Sequence, residues 1–113
     1  MVKRGRILEE GRAVSVSYGV KFLDEAGKDF EEILEYLSQF YPSSPSKFIH
    51  ALGEKLSLLK ENPYMYEAYF DHPMFRRAIA AGYLVFYRVD ENTKMVEIYR
   101  ILHETRDVKS FLP

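Results

Sequence analysis

The sequence predicts a single α+β domain in which a helical hairpin packs on one face of a mostly antiparallel sheet. Three observations lead to this prediction: a period-two segment near the start, two successive helical stripes, and three strand-like segments near the end. With 113 residues, of which 47% are hydrophobic, the chain has room for one core but not for two domains. We expect residues 14–113 to form the domain and residues 1–13 to be a flexible tail.

The composition excludes several classes of function. The chain has no Cys, which excludes disulfide scaffolds, thiol catalysis and thiolate zinc sites, and which suits a cytoplasmic protein. His50 and His72 have no ligand partners at metal spacing, so we expect no metal and no cofactor. No apolar segment approaches the roughly 20 residues of a membrane-spanning helix, so we expect no membrane partner. The net charge of −1 means that an anionic partner would need a local basic patch.

The first predicted element is a strand over Val14–Phe22, where apolar residues alternate with small or polar ones. The period then changes to that of an amphipathic helix, for which Asp24 is the predicted N-cap and Pro42 the terminator. The Ser-Pro pair at 44–45 predicts the start of a second helix, which closes before Pro63. The apolar stripes are Phe30, Ile33, Leu34, Leu37, Phe40 and Tyr41 in the first helix, and Phe48, Ile49, Leu52, Leu56 and Leu59 in the second.

Three strand-like segments follow a tyrosine-rich loop: Met74–Ala80, Tyr83–Val89 and Met95–Leu102. Ala81-Gly82 joins the first two segments, and residues 90–94 form a loop of hairpin length between the second and third. We therefore expect a three-stranded antiparallel meander followed by a short C-terminal segment. The core predicted from these periods contains Leu34, Leu37, Leu52, Leu56, Val85 and Tyr87.

The second of these strands has two different faces. Its odd-numbered residues share the face that suits the helical hairpin, whereas Leu84, Phe86 and Arg88 share the other. Leu84 and Phe86 would lie in water unless a partner covers them, and exposed apolar patches commonly mark protein interfaces. Arg88 and Arg100 have two interpretations: a basic surface for a phosphate backbone or an acidic partner segment, or a structural ion pair with Glu97.

Several strings are characteristic, and they are spread over nearly the whole chain from residue 14 to residue 112. They are DFEEI at 29–33 with Tyr36, LSLLKENP at 56–63, FRR at 75–77, GYLVFYRV at 82–89 and IYRILHETRD at 98–107. These strings resemble the RelE/ParE superfamily, the toxins of type II toxin–antitoxin pairs that are often described as plasmid-stabilisation proteins. The resemblance implies the β-α-α-β-β-β fold of that superfamily and a cognate antitoxin as partner.

The target of the toxin depends on one position. In RelE-like members, which cut messenger RNA in the ribosome, the Gly-Tyr pair that enters the strand is typically followed by an arginine that contacts the scissile phosphate. Here that position is Leu84. Because metal-free phosphodiester cleavage needs cations on the developing charge, the resemblance favours the ParE-like members, which poison DNA gyrase. The alternatives are a ribosome-dependent mRNA endoribonuclease and an inactive relative that only binds the antitoxin.

Two sets of candidate site residues follow from the resemblance. If RNA is cut, the catalytic candidates are Arg77, Arg88, His103 and Arg106, with His103 as general acid or base. The structural alternatives are that His103 fixes the C-terminal turn and that Arg106 pairs with Asp107. The residues predicted to bind the antitoxin are Leu84, Phe86, Arg88 and Arg100.

Overall fold

Residues 17–113 are described in this computed structural model, so the predictions for residues 1–13 and 14–16 lie outside the described part of the chain. Within the described part, the predicted α+β arrangement is confirmed. The elements, in chain order, are β1 (Gly19–Phe22), α1 (Asp24–Leu37), α2 (Ser44–Glu61), β2 (Ala68–Tyr69), β3 (His72–Ala80), β4 (Tyr83–Asp90), β5 (Met95–His103) and a 3₁₀ turn (Val108–Ser110).

One sheet of five strands, in the order β1-β5-β4-β3-β2, carries both helices on the same face. Strands β3, β4 and β5 form the predicted antiparallel meander. At one edge β1 pairs with β5 in parallel, since the chain passes through α1 and α2 before the meander begins. At the other edge lies β2, which the sequence did not predict because two residues are too few to show a period.

Both helices begin one residue away from their predicted caps. In α1 Leu23 occupies the N-cap position and Asp24 is the first helical residue. The carboxylates of Asp24 and Glu25 therefore lie in the first turn, where they favour the positive end of the helix dipole. In α2 the N-cap is Ser43 instead of Ser44.

Helix α1 ends earlier than its apolar stripe predicts. Its last residue is Leu37, and the amides of Gln39 and Phe40 donate to carbonyls three residues back. This tighter turn rotates the following side chains off the stripe. Phe40 and Tyr41, which the stripe includes, are therefore 56% and 71% exposed.

The main core lies between the helices and the face of β4 that carries its odd-numbered residues, as predicted. Three of the predicted core residues are buried, and the other three pack against the core from its margin. The buried ones are Leu52, Val85 and Tyr87, and the marginal ones are Leu34, Leu37 and Leu56.

A second, smaller core lies on the opposite face of the sheet. Here Leu84 and Phe86 pack with Phe75 of β3 and Leu102 of β5, and Leu112 closes over them. Leu112 follows the 3₁₀ turn, so the C-terminal segment folds back onto the sheet. The face that the sequence predicts to be open is covered by the chain itself.

An exposed polar cluster ties the entry of β1 to the β4–β5 hairpin. Glu91 in the hairpin accepts hydrogen bonds from the hydroxyls of Tyr18, at 2.9 Å, and Tyr64, and from the Lys94 ammonium at 2.5 Å. These donors, Lys94 above all, lower the pKa of the Glu91 carboxyl from 4.5 to about 2.

We expect this cluster to make stability depend on pH in acid. A carboxyl whose pKa is lowered by folding stabilises the folded state above its ordinary pKa of 4.5, and this contribution is lost as the pH falls toward about 2. Glu91→Gln should therefore reduce the loss of unfolding free energy across this pH range, measured by urea unfolding at each pH. Glu104→Gln, at an exposed position outside the cluster, is the control. An unchanged pH profile for Glu91→Gln would contradict the expectation.

Candidate functional site

The pair Leu84 and Phe86, predicted as an exposed antitoxin-binding patch, is in the second core. Leu84 is 8% exposed and Phe86 is fully buried. The Phe86 ring packs edge-on against the Tyr69 ring, with 5.3 Å between centroids. The prediction that these two side chains are open to a partner is therefore wrong, because they are buried in a cluster to which Tyr69 and the C-terminal segment with Leu112 contribute.

Arg88 lies beside the same face and is neutralised within the sheet. Its Nε donates to Oε1 of Glu97 at 2.7 Å, and Lys21 approaches the other oxygen of that carboxylate at 3.6 Å. The Glu97 side chain is only 10% exposed, so Arg88 compensates a nearly buried charge. The structural interpretation of Arg88, an ion pair with Glu97, is the one that the structure supports.

Arg100 is also paired, but with a residue that the sequence analysis did not identify. Its guanidinium donates from Nε to Oδ2 of Asp29 at 2.7 Å and from Nη2 to Oδ1 at 2.8 Å. The Ile101 amide donates to the same carboxylate at 2.9 Å. The hydrogen bonds to Asp29 raise the pKa of Arg100. This bidentate pair joins α1 to β5, so Arg100 is not the open basic surface that was predicted.

A cleft of about 510 Å³ lies between α1 and the terminal turn, next to this ion pair. His103 and Arg106, two of the four ribonuclease candidates, line it together with Arg100. The wall on the α1 side includes Glu32 and Tyr36, and the remaining wall includes Tyr83 and Phe111.

His103 is held in a fixed position at the end of β5. Its Nδ1 lies 2.8 Å from Oγ1 of Thr105 and accepts a hydrogen bond from the Thr105 amide at 3.3 Å. In the neutral ring this pattern places the proton on Nε2, which makes no hydrogen bond with the described residues. The ring also meets Tyr83 edge-on at 5.3 Å. These contacts agree with the prediction that His103 fixes the C-terminal turn.

Arg106 does not form the ion pair with Asp107 that was considered. The Asp107 carboxylate instead caps the 3₁₀ turn by accepting from the Lys109 amide at 3.2 Å and the Ser110 hydroxyl at 3.0 Å. The Arg106 guanidinium stacks on the Phe111 ring, 4.5 Å from its centroid. Among residues 17–113, no carboxylate lies within ion-pairing distance of this guanidinium.

Arg77 lies elsewhere on the molecule. It stacks on the Tyr69 ring at 5.3 Å and lines a different cleft, of about 570 Å³, together with Lys55 and Phe70. The four ribonuclease candidates are therefore distributed over three places: Arg77 in this second cleft, Arg88 in the sheet, and His103 and Arg106 beside α1.

Within residues 17–113, no three His, Asp or Glu side chains are grouped so that they could hold a metal ion. None of the helices in this part of the chain is long and apolar enough to cross a membrane.

The model of the family described as the ParE toxin of the type II toxin–antitoxin system parDE matches residues 20–108. No curated protein matches the sequence.

Three solved structures are similar in fold. A chain of the chromosomal ParDE system from P. aeruginosa has 18% identity and a TM-score of 0.65, with 79% of this chain and 98% of that one covered. A chain of the RelBE2 toxin–antitoxin complex from Mycobacterium tuberculosis has 22% identity and a TM-score of 0.55, with 79% of this chain and 100% of that one covered. A chain of the intact E. coli RelBE toxin–antitoxin complex has 17% identity and a TM-score of 0.58, with 80% of this chain and 100% of that one covered.

Proposed function

Because this chain belongs to the ParE toxin family of type II toxin–antitoxin systems, we propose that it inhibits DNA gyrase in the cytoplasm and is silenced by a cognate antitoxin. The match to the ParE model shows the family, and the similarity to chains of toxin–antitoxin complexes supports the proposed antitoxin partner. The choice of gyrase over the ribosome rests on the site.

This choice rests on one observation: the cations proposed for RNA cleavage do not lie together in the structure. Metal-free cleavage of RNA requires several cations and a proton shuttle around one phosphate. Arg88 is committed to Glu97 and Arg100 to Asp29, while Arg77 lines a different cleft from His103. The position after Gly82-Tyr83 is the buried Leu84, so no cation stands there.

The overall charge supports the same choice. A net charge of −1 provides no long-range attraction toward the ribosome, whose RNA is a dense polyanion. A gyrase poison acts by binding a protein surface and does not need such attraction.

A ribosome-dependent mRNA endoribonuclease remains the second candidate, and one observation favours it. His103 and Arg106 line the same cleft. The cleft therefore holds a group that can transfer a proton and a cation that has no carboxylate partner among the described residues. In that case Arg77 and Arg88 would have to reach the same phosphate by a rearrangement on the ribosome.

Induction of the chain in cells tests the proposal. We expect growth arrest with intact messages and an SOS-type DNA-damage signal, measured by primer extension on reporter mRNAs and by a damage-responsive promoter. His103→Ala should retain the arrest if gyrase is the target. Codon-phased mRNA cleavage that His103→Ala or Arg77→Ala abolishes would contradict gyrase inhibition and support the endoribonuclease. Absence of any arrest would favour an inactive relative that only binds the antitoxin.

A further inference from the structure

We propose that the cleft between α1 and the terminal turn is a receptor for a carboxylate side chain of an acidic antitoxin segment. This inference rests on the proposed toxin–antitoxin function and assigns the antitoxin a definite contact. The cleft brings together three preoriented hydrogen-bond donors that have no acceptor among the described residues: Arg106, His103 and Tyr83.

Arg106 supplies the charge. Its guanidinium lies on one side of the Phe111 ring at 4.5 Å, and Arg100 lies against the same ring at 4.9 Å. Stacking restricts the plane of the guanidinium and leaves its N–H groups along the edge. Two such N–H groups match the two oxygens of a carboxylate, which is the strongest geometry for binding this group.

Tyr83 supplies the observation that points most directly to a ligand. It is only 6% exposed, lines the cleft, and its hydroxyl makes no hydrogen bond with any described residue. Burial and the neighbouring Tyr36 raise the pKa of this phenol, so it remains a donor at neutral pH. A buried donor without an acceptor is costly, and native structures satisfy nearly all such groups. An oxygen entering the cleft would satisfy it.

His103 supplies the third donor. Thr105 engages Nδ1, and the edge-on contact with Tyr83 holds the ring beside the phenol. The Nε2–H of the neutral ring is therefore the donor that has no acceptor within the described part of the chain, and it remains a donor when the ring is protonated.

The charges around the cleft favour a carboxylate over a nucleic-acid backbone. Arg100 already neutralises Asp29, but Glu32 lines the cleft without a basic partner among the described residues. A phosphodiester chain would also run along the outer face of α1, which carries several further carboxylates and only Lys28 as a cation. Glu32 repels either anion, but a single acidic side chain in a protein segment avoids the further carboxylates along α1, because its neighbours can be neutral or basic.

Titration of the full chain with capped alanine pentapeptides tests the receptor. The peptides carry a central Asp or a central Asn, and dimethyl phosphate serves as the probe for a nucleic-acid backbone. NMR signals of the His103 ring and the Arg106 Nε–H report binding in the cleft. We expect saturable binding of the Asp peptide, and binding at least about tenfold weaker for Arg106→Gln, the range for a lost hydrogen bond to a charged group. Tyr83→Phe should also weaken binding, and Arg77→Gln, an exposed cation in the other cleft, should not.

Three results would overturn the inference. Equal binding of the Asn and Asp peptides would show that the cleft does not recognise charge. Tighter binding of dimethyl phosphate than of the Asp peptide would indicate a nucleic-acid backbone instead. Equal losses for Arg106→Gln and Arg77→Gln would indicate unspecific attraction.

The binding measurement is independent of toxicity, so the two proposals can fail separately. If the chain induces DNA damage but binds no carboxylate in the cleft, only the proposal of a carboxylate receptor is contradicted. If the chain binds the Asp peptide but cuts mRNA, only the proposal that gyrase is the target is contradicted.

Discussion

Phe86→Ala is expected to lower the free energy of unfolding by about 3–5 kcal/mol, the usual cost of removing a large buried aromatic ring. Phe86 is fully buried between the sheet and the C-terminal segment, and its removal leaves a cavity lined by Phe75, Leu84 and Leu112. Urea unfolding followed by circular dichroism measures the change. Ile79→Ala, at a 50% exposed apolar residue of β3, is the control and should cost far less.

The result separates two views of this face of the sheet. If the face were open for an antitoxin, Phe86→Ala would change stability by no more than about 0.5 kcal/mol, as surface substitutions do. It would then affect only the complex. A loss of that small size would contradict the packing of the C-terminal segment described above.

Asp29→Asn is expected to destabilise the fold by about 3–5 kcal/mol, because it leaves the Arg100 charge without its counter-charge. The Arg100 and Asp29 side chains are only 15% and 10% exposed, so water replaces the lost partner only in part. Thermal or urea unfolding measures the loss. Glu32→Gln, which removes an acidic residue from an exposed position of the same helix, is the matched control and should change stability little.

A double substitution checks that the loss comes from the unpaired arginine. Asp29→Asn combined with Arg100→Met removes both charges. The double variant should therefore be less destabilised than the Asp29→Asn variant alone. Additive losses from the two substitutions would contradict a direct coupling between these side chains.

The elements that the sequence predicts correctly are those with a local signal. The alternation along β4 is enough to assign Val85 to the helix face and Leu84 to the other face, since neighbouring side chains of a strand point in opposite directions. The helical stripes place α1 and α2 in the same way. The end of α1 is missed because a tightened last turn leaves no mark in a stripe that continues through Phe40 and Tyr41.

The parts that the sequence does not predict depend on contacts between distant residues. Leu112 covers Leu84 and Phe86, and nothing in the local pattern of any of the three indicates this packing. Asp29 and Arg100 are 71 residues apart. One local signal was available for Asp29, because it lies on the buried face of α1 between Ala26 and Ile33. An acidic residue in an apolar stripe indicates a buried partner.

For the candidate site too, the sequence predicts the residue types but not the contacts between distant residues. The sequence identifies His103 and Arg106 as chemically capable residues, and the structure brings them to one cleft. The sequence cannot show that Phe111 supports the arginine or that Tyr83 finds no acceptor among residues 17–113, because both depend on how the terminal turn folds. Arg77 and Arg88 are credible cations in the sequence, but the sheet places them apart from that cleft.

The most direct test of the gyrase target is a supercoiling assay with purified gyrase, relaxed plasmid and ATP, to which the purified chain is added in excess. The proposal predicts that supercoiling is lost and that cleaved plasmid accumulates after protein denaturation, with the same outcome for His103→Ala. Programmed ribosomes incubated with the chain in parallel should keep their mRNA intact. Unchanged supercoiling together with mRNA cut on the ribosomes would contradict the proposal and establish the endoribonuclease in its place.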